Sequence, residues 1–410
     1  MPLTGRPGVA VFGEHEPKTL AQLEDVASRA VRAALMADGH LGYVMPIGGV
    51  AAYDDKVSVV GVGFDIACGN AAIRTDLSIR DTPGLVERLP QIADEIQDVV
   101  SFGIGRKNRA DDAPVDHPLF RSDSWDALPG NVRDVLRSKA RAQLGTVGSG
   151  NHYVDVFADE RGEIWVGVHF GSRGFGHTVA SGFLALAQGE PWGRRVPERE
   201  ALLPLASPMG HDYWALMTLA GEYAYAGREW VARKVVSILG ARELELVHNH
   251  HNFAWREEHD GRHLIVVRKG ATPAFPGQKG FIGGSMGDDA VIVQGTRAPG
   301  SPIEALQRAA MFSTVHGAGR VMSRTQAAGK RNWRTGKILS PGAVSPAMMH
   351  AWVREKGVIL RGGGTDESPH VYRRLPQVLR AQRDTIEVLH TLHPLIVVMA
   401  GADQHDPYKD

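Results

Sequence analysis

The segment Gly61-Val-Gly-Phe-Asp-Ile-Ala-Cys-Gly69 joins two short apolar runs, residues 57–60 and 71–73, which read as strands. Its glycines predict a tight turn in which the backbone can approach a ligand closely. Asp65 and Cys68 lie three residues apart in this turn, so both side chains can point at one metal ion. A lone cysteine is more often a small buried hydrophobe, so the spacing by itself leaves both interpretations open.

Apolar periodicity outside this turn predicts helices and strands in irregular alternation. The predicted helices cover residues 19–36, 85–100, 179–188, 212–239, 303–315 and 375–392, and the predicted strands cover 164–169, 263–268, 291–293 and 395–399. The 410 residues leave one or two domains open. The pattern favours an α/β (α+β mixed) fold, in a single large domain over residues 1–410 with mixed sheets flanked by helices.

Composition excludes several classes of protein. Hydrophobic residues make up 43% and charged residues 22% of the chain, as in ordinary globular proteins. No apolar run reaches the length of a membrane span, and residues 1–13 hold no signal-peptide core. The one cysteine cannot form an intrachain disulfide, which suits a reducing compartment. These features predict a cytoplasmic protein with no membrane partner.

Charge is distributed unevenly along a chain whose formal net charge is zero. Residues 261–354 carry 13 Lys or Arg against three acids, a net of +10. Such a run can be an ordinary solvated face. Over this length it favours a surface that binds a polyanion.

Several histidines fall in glycine-rich or strand-end positions. His152 follows Gly148-Ser-Gly-Asn, His169 ends a predicted strand, and His250 and His251 follow the long helix predicted over residues 212–239. Taken alone, each histidine is more often a hydrogen-bonded structural residue than a metal ligand. Together with a thiolate and a carboxylate, they make a competent ligand set for a transition metal. One thiolate cannot build a closed four-cysteine site, so an open catalytic site is the natural form.

Phosphate binding has to be argued without the familiar loops, because neither G-x-x-x-x-G-K-[ST] nor G-x-G-x-x-G occurs. Three glycine-rich loops could surround a phosphate instead: residues 145–151, residues 283–287, and Thr314-Val-His-Gly-Ala-Gly-Arg320. In the last loop, small neighbours would let a phosphate reach the His316 ring, and Arg320 would neutralise it. A plain glycine-rich link after a helix explains the same residues about as well.

Taken together, these motifs resemble the RtcB family of RNA-splicing ligases along nearly the whole chain. The resemblance lies in ordered segments: Gly61-Val-Gly-Phe-Asp-Ile-Ala-Cys-Gly, Leu144-Gly-Thr-Val-Gly-Ser-Gly-Asn-His, His169-Phe-Gly-Ser-Arg-Gly, His250-His-Asn, Lys269-Gly-Ala, Gly284-Ser-Met-Gly and His316-Gly-Ala-Gly-Arg-Val-Met-Ser-Arg. An RtcB-like fold is implied.

The resemblance also implies a site with two Mn²⁺ ions. Asp65, Cys68 and His152 would hold one ion, and Cys68, His169 and His251 would hold the other. His251 matches the family's ligand rather than its neighbour His250, because it directly precedes the asparagine.

For the reaction, the resemblance implies GTP as a cofactor and His316 as the residue that attacks its α-phosphorus. The GMP would pass from His316 to an RNA 3′-phosphate end, after opening of any 2′,3′-cyclic phosphate, and a 5′-hydroxyl end would displace it. Such a reaction serves tRNA splicing or RNA repair, with an activating protein partner as an open possibility. The implied nucleotide contacts are Asn151, Asn252, Ser285, Gly317, Ala318, Gly319, Arg320 and Tyr372, while Arg173 and the basic residues between positions 320 and 337 are candidates for RNA phosphates.

Two positions depart from the family pattern. Asp155 stands where the family usually has glutamate, and Ala400 stands where it has a lysine that meets the guanine. Without that donor, discrimination of guanine over adenine is expected to weaken by ~1–3 kcal/mol.

Two rival functions stay open on the sequence. A dinuclear metal-dependent phosphatase or cyclic phosphodiesterase would keep the metal pair without joining ends, although simple hydrolysis has no use for His316. A non-catalytic RNA-binding module would use only the basic half of the chain.

Overall fold

The computed structural model of this chain describes residues 7–331 and 338–401. Helices and strands alternate irregularly along it. The helices are α1 (Pro17–Ala27), α2 (Val59–Val62), α3 (Leu85–Val99), α4 (Gly130–Gln143), α5 (Arg173–Ala187), α6 (Pro208–Leu239), α7 (Pro302–Ala309), α8 (Arg324–Ala328), α9 (Pro346–Glu355) and α10 (Leu375–Gln382).

The strands are β1 (Val9–Val11), β2 (Arg32–His40), β3 (Ile47–Tyr53), β4 (Lys56–Ser58), β5 (Gly69–Ser78), β6 (Tyr153–Asp159), β7 (Glu163–Phe170), β8 (Leu202–Pro204), β9 (Glu243–His250), β10 (Asn252–His259), β11 (Arg262–Lys269), β12 (Ala271–Pro273), β13 (Lys279–Ile282), β14 (Ala290–Gly295), β15 (Ser313–Val315), β16 (Lys330–Arg331), β17 (Ile338–Ser340), β18 (Ile359–Gly363) and β19 (Ile386–Gly401).

The largest sheet has eight strands, in the order β13-β14-β19-β6-β7-β5-β9, with β18 beside β19. Its neighbouring strands are antiparallel except β18 and β19, which are parallel. A second sheet has five strands in the order β1-β2-β3-β11-β10, with β1 and β2 parallel. These mixed sheets, with helices packed on them, confirm the predicted α/β (α+β mixed) fold class. The single domain over residues 1–410 stays a prediction.

Both faces of the eight-stranded sheet are apolar. On one face, Ile92 of α3 and Val235 of α6 belong to the same buried cluster as Ile73 of β5. On the other face, Phe157 and Trp165 pack in a smaller cluster. Removing these side chains from water is what stabilises the sheet against its helices.

Three predicted helices were wrong in their second halves. The helix predicted over residues 19–36 ends at Ala27, and β2 takes up residues 32–40. The helices predicted over 303–315 and 375–392 end at Ala309 and Gln382, and β15 and β19 follow. The inner residues of β2 are buried on both faces, so its apolar run carries no period that separates a strand from a helix. Arg383, with φ of +62°, ends α10.

The turn quoted at the outset is preceded by a helical turn rather than by a longer strand. β4 ends at Ser58, whose side chain accepts a hydrogen bond from the backbone N–H of Gly61 (2.8 Å) and so caps α2.

Among the described residues, no helix combines the length and apolar character that a membrane crossing needs.

Candidate metal and nucleotide site

Several chain segments meet at one edge of the eight-stranded sheet. Gly69, at the start of β5, lies opposite Phe170 at the end of β7 and His250 at the end of β9. Tyr153, at the start of β6, lies opposite His169. Because these neighbours are antiparallel, strand starts lie beside strand ends. The residues brought together in this way are Cys68, His152, His169 and His251.

Cys68 lies at the centre of the converging donors. Its Sγ is 3.4 Å from His169 Nε2 and 3.7 Å from His152 Nε2. Asp65 Oδ2 lies 3.0 Å from His152 Nε2. One donor atom from each of Cys68, His152 and His169 lies within 4.8 Å of the others, close enough for all three to bind one metal ion.

A hydrogen bond behind the site sets the tautomer of His169. Its Nδ1 lies 2.6 Å from Asn70 Oδ1 and donates its proton there, so the lone pair of Nε2 faces Cys68, as a metal ligand requires. His152 Nδ1 lies 2.9 Å from the carbonyl oxygen of Val147 and 3.1 Å from Arg173 Nη1, while its Nε2 faces Asp65 and Cys68.

His251 adjoins this group through its ring. It stacks on His169 at 5.1 Å between ring centroids and lies edge-on to His316 at 4.8 Å. Its Nδ1 is buried and has no hydrogen-bond partner among the described residues. A buried imidazole nitrogen without a partner fits a metal ligand.

Beneath the donors lies Arg228, which is fully buried. Its Nη1 donates to the carbonyl oxygens of Ala67 (2.9 Å) and Phe170 (2.6 Å), the residues next to two of the donors. Its Nη2 lies 2.8 Å from His250 Nδ1. Arg228 therefore braces the site and holds His250 away from it. Nothing in the local sequence pattern marked Arg228 for this role.

The electrostatics of the donors favour a cation. Burial raises the pKa of the Cys68 thiol well above its ordinary value, and Asp65 adds to the rise. Burial also raises the pKa of Asp65, but the hydrogen bond with His152 and the nearby charges of His152 and Arg173 together outweigh it and leave that pKa at about 2. A coordinating metal deprotonates a thiol outright. One sulfur, three imidazoles and one carboxylate suit a transition-metal ion.

His316 follows β15 and faces Asp38, a fully buried residue of β2. Its Nδ1 lies 2.6 Å from Asp38 Oδ2 in an ion-pair contact, and that oxygen accepts hydrogen bonds from the backbone N–H groups of His316 (3.1 Å) and Gly317 (3.3 Å). Burial raises the pKa of Asp38, but the contacts with His316 outweigh it, and the pKa lies below its ordinary value. An ionised Asp38 holds the proton on Nδ1 and leaves the lone pair on Nε2.

A cavity of about 930 Å³ opens onto both His316 and Asp65. Most of the residues implied to contact the nucleotide line it: Asn151, Ser285, Gly317, Ala318, Gly319, Arg320 and Tyr372. Asn252 does not. Its amide donates to the carbonyl oxygen of Asp65 (3.4 Å) and accepts from the N–H of Gly270 (2.7 Å), so Asn252 stabilises the turn of residues 61–69 instead.

Arg320 shares its partners with Arg324. Arg320 lies 3.3 Å from Glu367 and 3.0 Å from the Tyr372 hydroxyl, and Arg324 contacts Asp366 (3.2 Å) as well as Glu367. The positive charge that the sequence concentrates in residues 261–354 is therefore partly neutralised by acids from another segment. Of the other candidates for RNA phosphates, the side chains at positions 331, 334 and 337 lie outside the described residues.

Asp155 is a buried carboxylate in the cavity wall, beside Val397 of β19. Its Oδ1 has no hydrogen-bond partner among the described residues, and burial raises its pKa well above the ordinary value. Val397 and Met399 also line the cavity. Ala400 is not part of the lining, because alternate residues of a strand point to opposite faces. Position 400 therefore adds no hydrogen-bonding group to the cavity.

Asp155→Asn is expected to stabilise the metal-free protein at alkaline pH. A raised pKa means that the folded state keeps a proton which the unfolded chain releases above about pH 4, so stability falls as the pH rises from there. Asparagine has no charge to desolvate. The thermal midpoint should rise by about 1–3 °C at pH 8 and by less at pH 5. Calorimetry at both pH values checks this, and an equal shift at both would contradict it.

Known proteins of one family are similar to this chain over most of its length. The family model described as "tRNA-splicing ligase RtcB" matches residues 18–400. The tRNA-splicing ligase RtcB of Archaeoglobus fulgidus is 33% identical, over 88% of this chain and 84% of the relative. The RNA-splicing ligase RtcB of Escherichia coli is 31% identical, over 89% of each. The tRNA-splicing ligase RtcB of Thermococcus kodakarensis is 31% identical, over 84% of this chain and 82% of the relative. The chain therefore belongs to the RtcB family.

Proposed function

We propose that this protein is an RNA ligase that joins a 3′-phosphate or 2′,3′-cyclic phosphate end to a 5′-hydroxyl end, using GTP and two Mn²⁺ ions. The observation that carries the proposal is the placement of His316. Its ring, held by Asp38, lies 4.8 Å from the His251 ring and opens onto the same cavity as Asp65. A nucleophile and a metal-ligand set thus lie side by side at one cavity.

The metal ligands are assigned as two overlapping sets. Asp65, Cys68 and His152 would hold one ion, and Cys68, His169 and His251 the other. When bound, the ions would neutralise phosphate charge and stabilise the oxygen that leaves. Arg228, beneath the donors, keeps the backbone on either side of the site in place.

His316 Nε2 attacks the α-phosphorus of GTP, so that a P–N bond forms and the bond to the β-phosphate oxygen breaks, releasing pyrophosphate. Asp38 stabilises the positive charge that the ring gains. An oxygen of the RNA 3′-phosphate then takes the GMP and the P–N bond breaks. The 5′-hydroxyl finally attacks the RNA phosphorus, loses its proton and expels GMP. A cyclic phosphate end is opened by water first.

The test of this function is transfer of label from GTP. The protein is incubated with Mn²⁺ and α-labelled GTP, and separately with ATP, CTP and UTP. A covalent label that acid removes and alkali does not identifies a phosphoramidate, loss of the label in His316→Ala assigns it to that histidine, and end-joining of RNA should accompany it. The absence of label with every nucleotide would rule the proposal out.

The same assay separates the rivals. A phosphatase or cyclic phosphodiesterase would remove phosphate from RNA ends in Mn²⁺ without taking up label. A non-catalytic RNA-binding module would bind RNA equally well with Cys68→Ala and would never join ends.

Asp38→Asn is expected to slow the labelling of His316 by about 10²- to 10⁴-fold, because the amide no longer holds the required tautomer or offsets the charge on the ring. Single-turnover rates with labelled GTP measure the effect. Asp98→Asn, at an exposed position of α3, is the matched control. Labelling at the wild-type rate in Asp38→Asn would contradict the assigned role of Asp38.

A further inference from the structure

Three aromatic rings form a row at the turn of residues 61–69. Tyr43 is 44% exposed, and its ring lies 6.2 Å from that of Phe64, at 86° to it. The Phe64 ring lies 5.7 Å from that of His177, tilted by 37°. Phe64 and His177 are half-buried. We call Tyr43, Phe64 and His177 the aromatic row.

The aromatic row leads directly to the proposed site. Phe64 immediately precedes Asp65, which lies 3.0 Å from His152. Tyr43 lines the same cavity as His316. A polymer lying along the row would therefore deliver its end to the metal and nucleotide groups.

Cations accompany the row. Lys139 is exposed, pairs with no carboxylate in the part of the chain that the structure describes, and lies close enough to act electrostatically on His177. Arg173 has its Nη1 3.1 Å from His152 Nδ1. Lys269 Nζ lies 5.8 Å from the centre of the Tyr43 ring. Exposed Lys139, half-buried Arg173 and buried Lys269 thus all lie beside the aromatic row.

This combination has a specific chemical counterpart. Single-stranded nucleic acids bind where bases can stack on aromatic faces while cations follow the phosphates. Stacking tolerates any base, because every base has a π-face. Stacking would therefore let one site accept RNA ends of different sequence, whereas base-specific hydrogen bonds would restrict it.

We propose that the aromatic row is the platform on which the unpaired terminal bases of the RNA stack, with Lys139 and Arg173 against its phosphates. The inference rests on the proposed RNA-ligase function and extends it by naming the path of the substrate. It requires the RNA end to be single-stranded for the few nucleotides nearest the join.

The test uses the full chain with Mn²⁺ and a single-stranded RNA oligonucleotide that carries the fluorescent base 2-aminopurine next to its reacting end. One oligonucleotide ends in a 3′-phosphate, and a second begins with a 5′-hydroxyl. Stacking on the row should quench the fluorescence. Tyr43→Ala should relieve the quenching and raise the Kd about tenfold, while Tyr43→Phe keeps the Kd within about twofold of the wild type.

Lys139→Ala should lower the slope of log Kd against log salt by about 0.7, the effect of one lost phosphate contact on a single strand. Lys356→Ala, at an exposed position just after α9, is the matched control and should leave the slope unchanged. The oligonucleotide whose Kd responds to the Tyr43 change identifies which of the two strands follows the row.

Unchanged quenching and Kd for both oligonucleotides in Tyr43→Ala and in His177→Ala would overturn the inference. Failure of the proposed function would look different, since the wild type would then take up no label from GTP and join no ends. An active wild type with unresponsive row variants therefore refutes the row alone.

Discussion

His316→Ala should abolish the covalent labelling by GTP and the joining of RNA ends together. Alanine offers no nitrogen to form the P–N bond, and other buried histidines of the site are held by their own partners: His152 by Val147, and His169 by Asn70. Label detection after denaturation should show no signal above background, which is a loss of more than about 10⁴-fold for a covalent nucleophile.

The control for this change is His350→Ala, at an exposed position of α9, which should label at the wild-type rate. RNA binding should survive in His316→Ala, because the aromatic row and its cations are intact. Residual label on His316→Ala would assign the nucleophile to another residue and would contradict the proposed mechanism.

Cys68→Ala should have the second largest effect, through loss of metal. Its sulfur lies within reach of both His152 and His169, so its removal takes a ligand from both proposed ions at once. Bound Mn²⁺, counted by electron paramagnetic resonance, should fall from two to at most one. Labelling should fall by at least about a thousandfold, since metal-ion catalysis supplies several kcal/mol.

Cys68→Ser tests whether the effect comes from the sulfur rather than from the space it fills. Serine is close to cysteine in size but is a harder and less acidic donor, so Cys68→Ser should keep the fold without binding two metal ions. The thermal midpoint of the metal-free Cys68→Ala protein should stay within a few degrees of the wild type. Two bound Mn²⁺ ions in Cys68→Ala would show that Cys68 is not a ligand of both ions.

Much of the site could be predicted from local sequence. Glycines at positions 61, 63 and 69 indicate a turn, and Asp65 with Cys68 inside it indicates a candidate metal site. The long helix α6 and the strands β7 and β11 were predicted within a few residues, because their apolar patterns extend over their whole length. The assignment of individual residues to each metal ion and to GTP stays a prediction.

Net charge along the sequence was an incomplete guide to the protein surface. Arg320 and Arg324 stand in a stretch that reads as strongly basic, yet both contact Glu367 in the folded chain. A run of like charges along the sequence does not establish a charged surface, because the neighbours that neutralise it come from elsewhere in the fold.

The sequence by itself determined the chemical inventory of this protein: a thiolate, a carboxylate, several imidazoles and glycine-rich loops, in the order typical of one family. Only the tertiary structure decided which of them meet. Asp38 contacts His316, which lies 278 residues further along the chain. Asp38 was missed because the helix predicted over residues 19–36 covered the first part of β2, and residues 37–40 were assigned to no element. The register of β5 against β7 and β9 likewise places Cys68 beside His169 and turns His250 towards Arg228. Such contacts depend on strand pairing between distant segments, and no local period in a sequence records its partner.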